Sequence, residues 1–236
     1  MFRGDAMNYT KTIVCLANSR KPGGKCVAGK ETADGEHHGW IRPVSARPSA
    51  EISLEEQHYE DGQDPQILDI IEISMIAPVP RVHQTENHMI NDESYWTKKG
   101  ILAWADLSDL VDTPPTLWTN GDSTYHGRHD RMTQAVAAAY QNSLVLIKPE
   151  DVTIRVLTPG AGFGNPKRKV RADFTYQEVH YDFMVTDPVV ERAFLAKQNG
   201  DYPVAQDVYF CVSLAEAHTD GYCYKLVATI ISEQPL

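Results

Sequence analysis

Hydrophobic and polar residues alternate in short runs through the second half of the chain, which is typical of β-strands. The alternation predicts strands at residues 144–157 (broken around Pro149), 170–176, 178–185, 207–214 and 222–231. Between the third and fourth of these, Thr186 and Asp187 precede Pro188. Because an N-cap residue followed by proline favours the start of a helix, we predict a helix that extends to about Lys197.

The order strand, strand, strand, helix, strand, strand is that of the five-stranded oligonucleotide/oligosaccharide-binding barrel, the OB-fold. The first half predicts strands at residues 12–17, 25–28, 40–44, 67–76 and 82–87, short helices between 95 and 118, and a helix at 130–140. It fits the same scheme only with long insertions after its third strand. We therefore predict a mainly β protein with a few helices, made of two OB-like five-stranded barrels in tandem. The first occupies residues 10–142, with insertions and helices, and the second occupies residues 143–236.

Composition supports a folded globular protein, since 42% of the 236 residues are hydrophobic and 23% are charged. The chain has no apolar run of 18 residues, and the apolar segment Thr12 to Ala17 is too short for a signal-peptide core, so we expect a cytoplasmic protein without a membrane partner. The net charge of −10 argues against indiscriminate duplex binding. Any nucleic-acid site must therefore be local. The acidic run from Ser49 to Glu72 is interpreted as a solvated loop.

Two glycine-rich basic segments fall at the predicted connection between strands one and two of each barrel. The first is the acid-free stretch from Lys11 to Lys30, built around a Pro-Gly-Gly turn, and the second is residues 159–169. OB-folds hold ligands with this loop, with the four-to-five loop and with strands two and three. Candidate phosphate contacts are Arg20, Lys21, Lys25, Lys30, Lys167, Arg168 and Lys169, with Trp40 and Phe163 to stack bases and Arg42 to contact backbone or base. The alternative is that both segments are ordinary solvated hairpin loops.

Other residues suggest chemistry less specifically. Glu178, His180 and Asp182 would share one face of a strand, where a histidine between carboxylates suits acid–base chemistry, although the wet face of a barrel strand is the commoner explanation. Cys15 is a candidate nucleophile if nearby cations lower its pKa, but a buried strand cysteine is commoner. His126 and His129 are candidate cation ligands. The four cysteines are expected to be reduced and mostly packed. No cofactor is predicted, because residues 160–164 do not match the nucleotide-binding fingerprint.

Three segments carry a resemblance to a known family: CLANSRKPGGKCVAGKE from Cys15, GWIRPVS from Gly39 and CVSLAEAHTDGYCYKLVATII from Cys211. They resemble the bacterial dual-OB-containing domain family, and the resemblance spans nearly the whole chain. It implies two successive OB-folds and a role in nucleic-acid handling or modification in bacterial conflict systems. It brings no catalytic motif. The matched polar positions include Asn18, Ser19, Arg20, Lys25, Lys30, Trp40, Arg42, Asp220 and Lys225.

Three functional hypotheses follow. The first is a module that binds single-stranded or distorted nucleic acid at the basic loops and presents it to a partner enzyme. The second is an enzyme acting on a nucleotide or nucleic acid through Glu178, His180 and Asp182 or through Cys15. The third is a scaffold whose acidic face binds a basic protein. The choice between DNA and RNA, the sequence preference and the oligomeric state stay open at this point.

Overall fold

The chain forms two compact units, Met1–Leu110 and Val111–Leu236, in a computed structural model that describes residues 8–33, 36–159 and 166–236. Both units are built mainly from β-strands, as predicted. The predicted boundary at 142/143 lies within the second unit. Residues 111–142 associate with that unit because Arg131, Met132 and Thr133 pair with its last strand.

The first unit is a closed five-stranded barrel. Its strands are β1 (Tyr9–Lys21), β2 (Gly24–Ala33), β3 (Glu36–Val44), β4 (Asp69–Pro78) and β5 (Asn87–Ile90), joined in the cyclic order β1-β2-β3-β5-β4-β1. The β3–β5 pair is parallel and the others are antiparallel. This is the strand order of an OB-fold. The one-turn helix α1 (Leu54–Gln57) follows β3, β6 (Thr97–Ile101) pairs with β4, and a 3₁₀ helix spans Trp104–Leu110.

The barrel closes through the two halves of β1. Residues Tyr9 to Val14 pair with β4, whereas Ile13 to Lys21 pair with β2, and the register shifts between Cys15 and Ala17. A β-bulge bends a strand and increases its twist, which lets one strand serve two neighbours. The enclosed core contains Ile13, Cys15, Val27, Ile41, Ile52, Tyr59, Ile71, Ile73, Met75, Ile90 and Trp96.

The second unit repeats this plan with additional elements ahead of the barrel. Ahead of the barrel lie β7 (Arg131–Thr133) and α2 (Gln134–Ala137). The barrel itself contains β8 (Leu144–Ile147), β9 (Glu150–Leu157), β10 (Lys169–Tyr176), β11 (Val179–Val185), α3 (Pro188–Leu195), β12 (Gly200–Pro203), β13 (Val208–Ala217) and β14 (Tyr222–Ser232). As in the first barrel, the third strand β11 runs parallel to the last strand β14. The helix α3 lies between strands three and four, as predicted.

The first strand of this barrel is divided at Pro149, which was also predicted. The piece before it, β8, pairs with β13, and the piece after it, β9, pairs with β10. Proline has no backbone N–H to donate, so it suits the break between two ladders. Asp187 caps α3 by accepting from the backbone N–H groups of Val189 and Val190 at 2.9 and 3.2 Å. Its other oxygen accepts from the Ile230 N–H of β14 at 3.1 Å, so the cap also attaches the helix to the barrel.

Three predicted elements differ in the structure. The predicted strand at 82–87 begins only at Asn87, because Arg81 and Gln84 exchange backbone hydrogen bonds in a tight turn. The helix predicted at 130–140 is reduced to α2, because residues 131–133 pair with β14 instead. The acidic run predicted as a solvated loop is partly folded. Asp69 is buried, where it accepts from the Tyr59 hydroxyl at 2.7 Å and pairs with Lys98 at 2.6 Å.

We expect Gly29→Ala to destabilise the first barrel. A Cβ at Gly29 would lie 2.0 Å from the backbone oxygen of Val14, where β1 crosses closely over β2. Overpacking usually costs about 1–3 kcal/mol, and here the obstructing atom belongs to the backbone. Urea unfolding should show the loss. Gly39→Ala is the matched control, because a Cβ there meets nothing within 4 Å. Equal stability of the two variants would contradict the prediction.

Candidate nucleic-acid interface

The turn between β1 and β2 is held in one conformation by the segment that passes beneath it. Lys25 exchanges two backbone hydrogen bonds with Ile52, at 2.8 and 2.9 Å. Gly23, which follows Pro22, has a φ of +85°, the conformation that favours glycine at this position of a turn. A Cβ at Gly24 would lie 2.2 Å from the Ile52 carbonyl oxygen. The sequence therefore fixes the direction in which this turn leaves the barrel.

Three of the predicted phosphate contacts flank this turn. Arg20 lies opposite Lys25 in the β1–β2 ladder, and Lys21 lies opposite Gly24. Arg20 is exposed, and Lys21 and Lys25 are partly exposed. One carboxylate, Glu51, packs against Gly23. Its pKa is held below the usual range by the hydroxyl of Ser49, which donates to it at 2.8 Å, and by the positive charges of Arg47 and Lys21. Arg20, Lys21 and Lys25 thus flank a turn on which the Glu51 carboxylate packs.

Lys30, Trp40 and Arg42 lie on the outer face of β2 and β3, opposite the core residue Ile41. Lys30 faces Trp40 across the ladder, with its Nζ 5.8 Å from the indole centroid. Arg42 is only 4% exposed. It pairs with Glu86 at 3.1 Å and donates to the side-chain Oδ1 of Asn87 at 3.5 Å. Arg42, which we predicted to contact nucleic acid, is therefore a buried side chain paired with Glu86.

Of the candidate residues in the second basic segment, Phe163 lies outside the described residues. Lys167 is exposed and Lys169 partly exposed at the start of β10. Arg168, although exposed, donates to the carbonyls of Leu195 and Lys197 and to the Asn199 side chain. Those carbonyls end α3, where a cation is favoured, so Arg168 caps a helix.

The outer face of β9, β10 and β11 carries a connected set of charges that we call the charge ladder. Its members are Asp130, Arg155, Arg171, Asp173, His180 and Asp182. Asp182 accepts from both Arg155 and Arg171, and Arg171 also reaches Asp130 at 2.8 Å. Burial raises the pKa of Asp182 even though two arginines oppose that shift. These arginines neutralise carboxylates of their own chain and contribute no excess positive charge.

The predicted set Glu178, His180 and Asp182 is divided by this arrangement. Glu178 lies in the turn before β11, with a φ of +62°. Nε2 of His180 bonds Asp173 at 2.6 Å, and Asp182 belongs to the arginine pairs. Sequence reasoning missed Arg155, Arg171 and Asp173. The signal was present, because Arg171 and Asp173 alternate with apolar residues along a predicted strand.

The structure places the candidate nucleophile Cys15 and the candidate cation ligands His126 and His129 in three different environments. Burial, together with nearby Asp69, raises the pKa of Cys15 to about 12, so its thiol stays protonated. Nδ1 of His129 accepts from the Gly121 N–H at 3.0 Å, whereas His126 is exposed with its ring 4.7 Å from that of Tyr125. Among residues 8–33, 36–159 and 166–236, no three His, Cys, Asp or Glu side chains are grouped to hold a metal. All four cysteines are free thiols.

Comparison with known proteins agrees with the two-barrel topology. The sequence model of the Dual OB-containing domain matches residues 11–230. The chain belongs to the Dual OB-containing domain family. No curated protein matches it. A solved structure titled the tetrameric p202 HIN2 aligns over 98% of this chain and 97% of that chain, with 12% identity and a TM-score of 0.33. In the described part of this family member, no helix is long and apolar enough to cross a membrane.

This dual-OB chain also buries a lysine inside its second barrel. Lys225 lies between the core residues Cys223 and Val227 on β14, and its side chain is fully buried. Its Nζ donates to the Thr119 carbonyl at 2.8 Å and lies 5.9 Å from the Tyr181 ring centroid. Burial lowers the pKa of Lys225 to about 7, with Asp130 opposing the shift. The signal in the sequence was a lysine on the apolar side of an alternating strand.

We expect Lys225 to make the stability of the second barrel depend on pH. The pKa of about 7 in the folded chain lies below the usual lysine value, so the unfolded chain binds the extra proton above pH 7. Stability therefore rises with pH from about 7 towards 10, by up to about 1.4 kcal/mol per pH unit, and does not change from this source below that window. Urea unfolding of wild type and Lys225→Met at pH 6 to 9 measures the difference.

The expected result is that wild type gains stability relative to Lys225→Met as the pH rises from 7 to 9. The exposed Lys167→Met is the control, and its difference from wild type should stay constant with pH. A constant difference for Lys225→Met across the same range would show that the buried amine keeps an ordinary pKa.

Proposed function

We propose that this protein is a single-stranded nucleic-acid-binding module that uses the turn between β1 and β2 of its first barrel. The observation that carries the proposal is the placement of Arg20, Lys21 and Lys25 on a fixed Pro-Gly turn of a closed OB barrel. Ligands of OB-folds lie across strands two and three and are gripped by this loop. Cations and backbone amides at such a turn suit a phosphate backbone.

The overall charge favours a local site over a general affinity for polyanions. With a net charge of −10, most of the surface repels nucleic acid, and only a concentrated patch can attract it. A single strand also exposes bases that can stack on aromatic rings. Trp40, on the outer face of β2 and β3, supplies one such ring further along β2. We assign Lys30 the role of orienting Trp40, and Lys167 and Lys169 the role of supplementary phosphate contacts.

We further propose that the bound strand is handed to a partner enzyme in the cytoplasm of a bacterium. This part extends what the resemblance in the sequence implies, a role in nucleic-acid handling in bacteria. It predicts binding without a strong sequence preference, because backbone contacts carry no sequence information.

The direct test is fluorescence anisotropy of labelled single-stranded DNA, single-stranded RNA and matching duplexes across a range of salt concentrations. We expect saturable binding to single strands that weakens linearly with log salt concentration. The triple variant Arg20→Glu, Lys21→Glu, Lys25→Glu should bind at least about tenfold more weakly. Its salt slope should fall by about 2, since each phosphate contact of a single strand contributes about 0.7.

The control reverses three cations elsewhere, Lys99→Glu, Lys148→Glu and Arg192→Glu, which changes the net charge equally. All three are exposed. Equal losses in the two variants would show that total charge matters and the turn does not. Absence of binding by wild type to all four ligands would reject the proposed function itself.

A further inference from the structure

A short turn on the second barrel, Thr124 to Asp130, holds an aromatic side chain almost entirely in solvent. Tyr125 is 94% exposed, more than any other large hydrophobic or aromatic side chain among the described residues. Its neighbours His126 and Arg128 are exposed as well. Exposed tyrosines are ordinary on mobile loops. Here the supporting backbone is bonded at several points, so the exposure needs another explanation.

The carboxylate of Asp130 holds the turn closed from within. It accepts from the Thr124 backbone N–H at 2.7 Å and from the Thr124 hydroxyl at 2.6 Å. The same carboxylate pairs with Arg171 at 2.8 Å, and Asp130 is itself buried. Gly127 packs on this pair so closely that a Cβ would lie 1.8 Å from Asp130 Oδ2 and 2.4 Å from Arg171 Nη2. The turn is therefore fixed onto the charge ladder.

The turn lies where OB-folds receive their ligands. Arg128 exchanges two backbone hydrogen bonds of 3.2 Å with Asp182 of β11, the third strand of this barrel. Arg171, on which Gly127 packs, belongs to β10, the second strand. Ligands of OB-folds cross the outer face of strands two and three. The charge ladder occupies that face, and the turn rests on the ladder and extends beyond it into solvent.

The exposed side chains of the turn have the chemistry of a base and phosphate contact. The Tyr125 and His126 rings meet edge to face at 4.7 Å between centroids, and Tyr125 stays 94% exposed. Nη1 of Arg128 lies 2.5 Å from Nδ1 of His180, whose Nε2 bonds Asp173. With Nδ1 accepting from Arg128 and Nε2 donating to Asp173, the imidazole holds the guanidinium at the surface of the charge ladder. The same short turn thus carries an exposed ring and an exposed guanidinium.

We propose that Tyr125 is a stacking platform for an unpaired base of a single-stranded nucleic acid and that Arg128 contacts an adjoining phosphate. The inference rests on the proposed function and adds a second contact region to it. Because the turn is fixed before the ligand arrives, little conformational entropy is lost on binding. A protein partner fits less well, because the turn offers one ring among polar groups and no apolar groove.

The test measures the affinity of the full chain for a labelled 12-nucleotide single strand, for wild type and for Tyr125→Ala, Tyr125→Phe and Arg128→Ala. Base stacking on an aromatic ring is usually worth about a 5- to 100-fold change in affinity. We expect Tyr125→Ala to lose affinity by that factor with an unchanged salt slope, and Tyr125→Phe to bind like wild type. Arg128→Ala should lower the salt slope by about 0.7, as loss of one phosphate contact of a single strand does.

Tyr95→Ala is the matched control, because Tyr95 is a tyrosine of the first unit that is 66% exposed. It should bind like wild type. Thermal unfolding of Tyr125→Ala should match wild type as well, since the side chain packs on little. If wild type binds and Tyr125→Ala binds equally well, the stacking platform is rejected and the proposed function stands. If wild type binds no single strand, both fall together.

Discussion

Each barrel depends on a first strand that must pair along two different neighbours. In the first barrel, β1 pairs with β4 at one end and with β2 at the other, with a bulge between. In the second, Pro149 divides the strand into β8 and β9, which pair with β13 and β10. A sheet without this change of partner would leave two long edges unpaired, an arrangement that invites aggregation. Closure also sets the curvature that brings the first turn beside strands two and three.

The two outer faces use charge in different ways. On the second barrel, arginines and aspartates neutralise each other, and Asp130, Arg171 and Asp182 of the charge ladder are buried. A buried pair contributes little net stability but is costly to break, so it fixes one arrangement against others. On the first barrel, Arg20, Lys21 and Lys25 gather at the β1–β2 turn. One face therefore neutralises its own charges, and the other carries the cations that we propose to bind nucleic acid.

Much of the architecture could be predicted from the sequence, because its signals are local. Alternation located β8 to β11, β13 and β14, the Thr-Asp-Pro sequence located α3, and the Pro-Gly-Gly sequence located the first turn. The short β12 was not predicted. Boundaries failed where a distant partner decided them. Met132 has helical spacing with its neighbours, yet its segment pairs with β14, far along the chain. No pattern within residues 130–140 contains that information.

The candidate site was predictable to the same extent. Arg20, Lys21 and Lys25 were found because they flank a turn whose position is a local property. Arg42 and Arg168 resemble them in sequence, but Glu86 pairs with one and the end of α3 holds the other. Tyr125 was overlooked since one tyrosine in a polar stretch has no periodicity. Its significance depends on Asp130 and Arg171, which only the folded chain brings together.

The support beneath Tyr125 and the ring itself are subject to opposite evolutionary constraints. Gly127 packs directly on the Asp130–Arg171 ion pair, so a change at any of these three residues demands compensation at the others. Tyr125 contributes almost nothing to packing, and replacing it leaves the fold intact. Related chains are thus free to exchange this ring for other side chains at no structural cost. With the stacking role that we propose for Tyr125, single substitutions there change the ligand preference while the barrel that carries the turn stays the same.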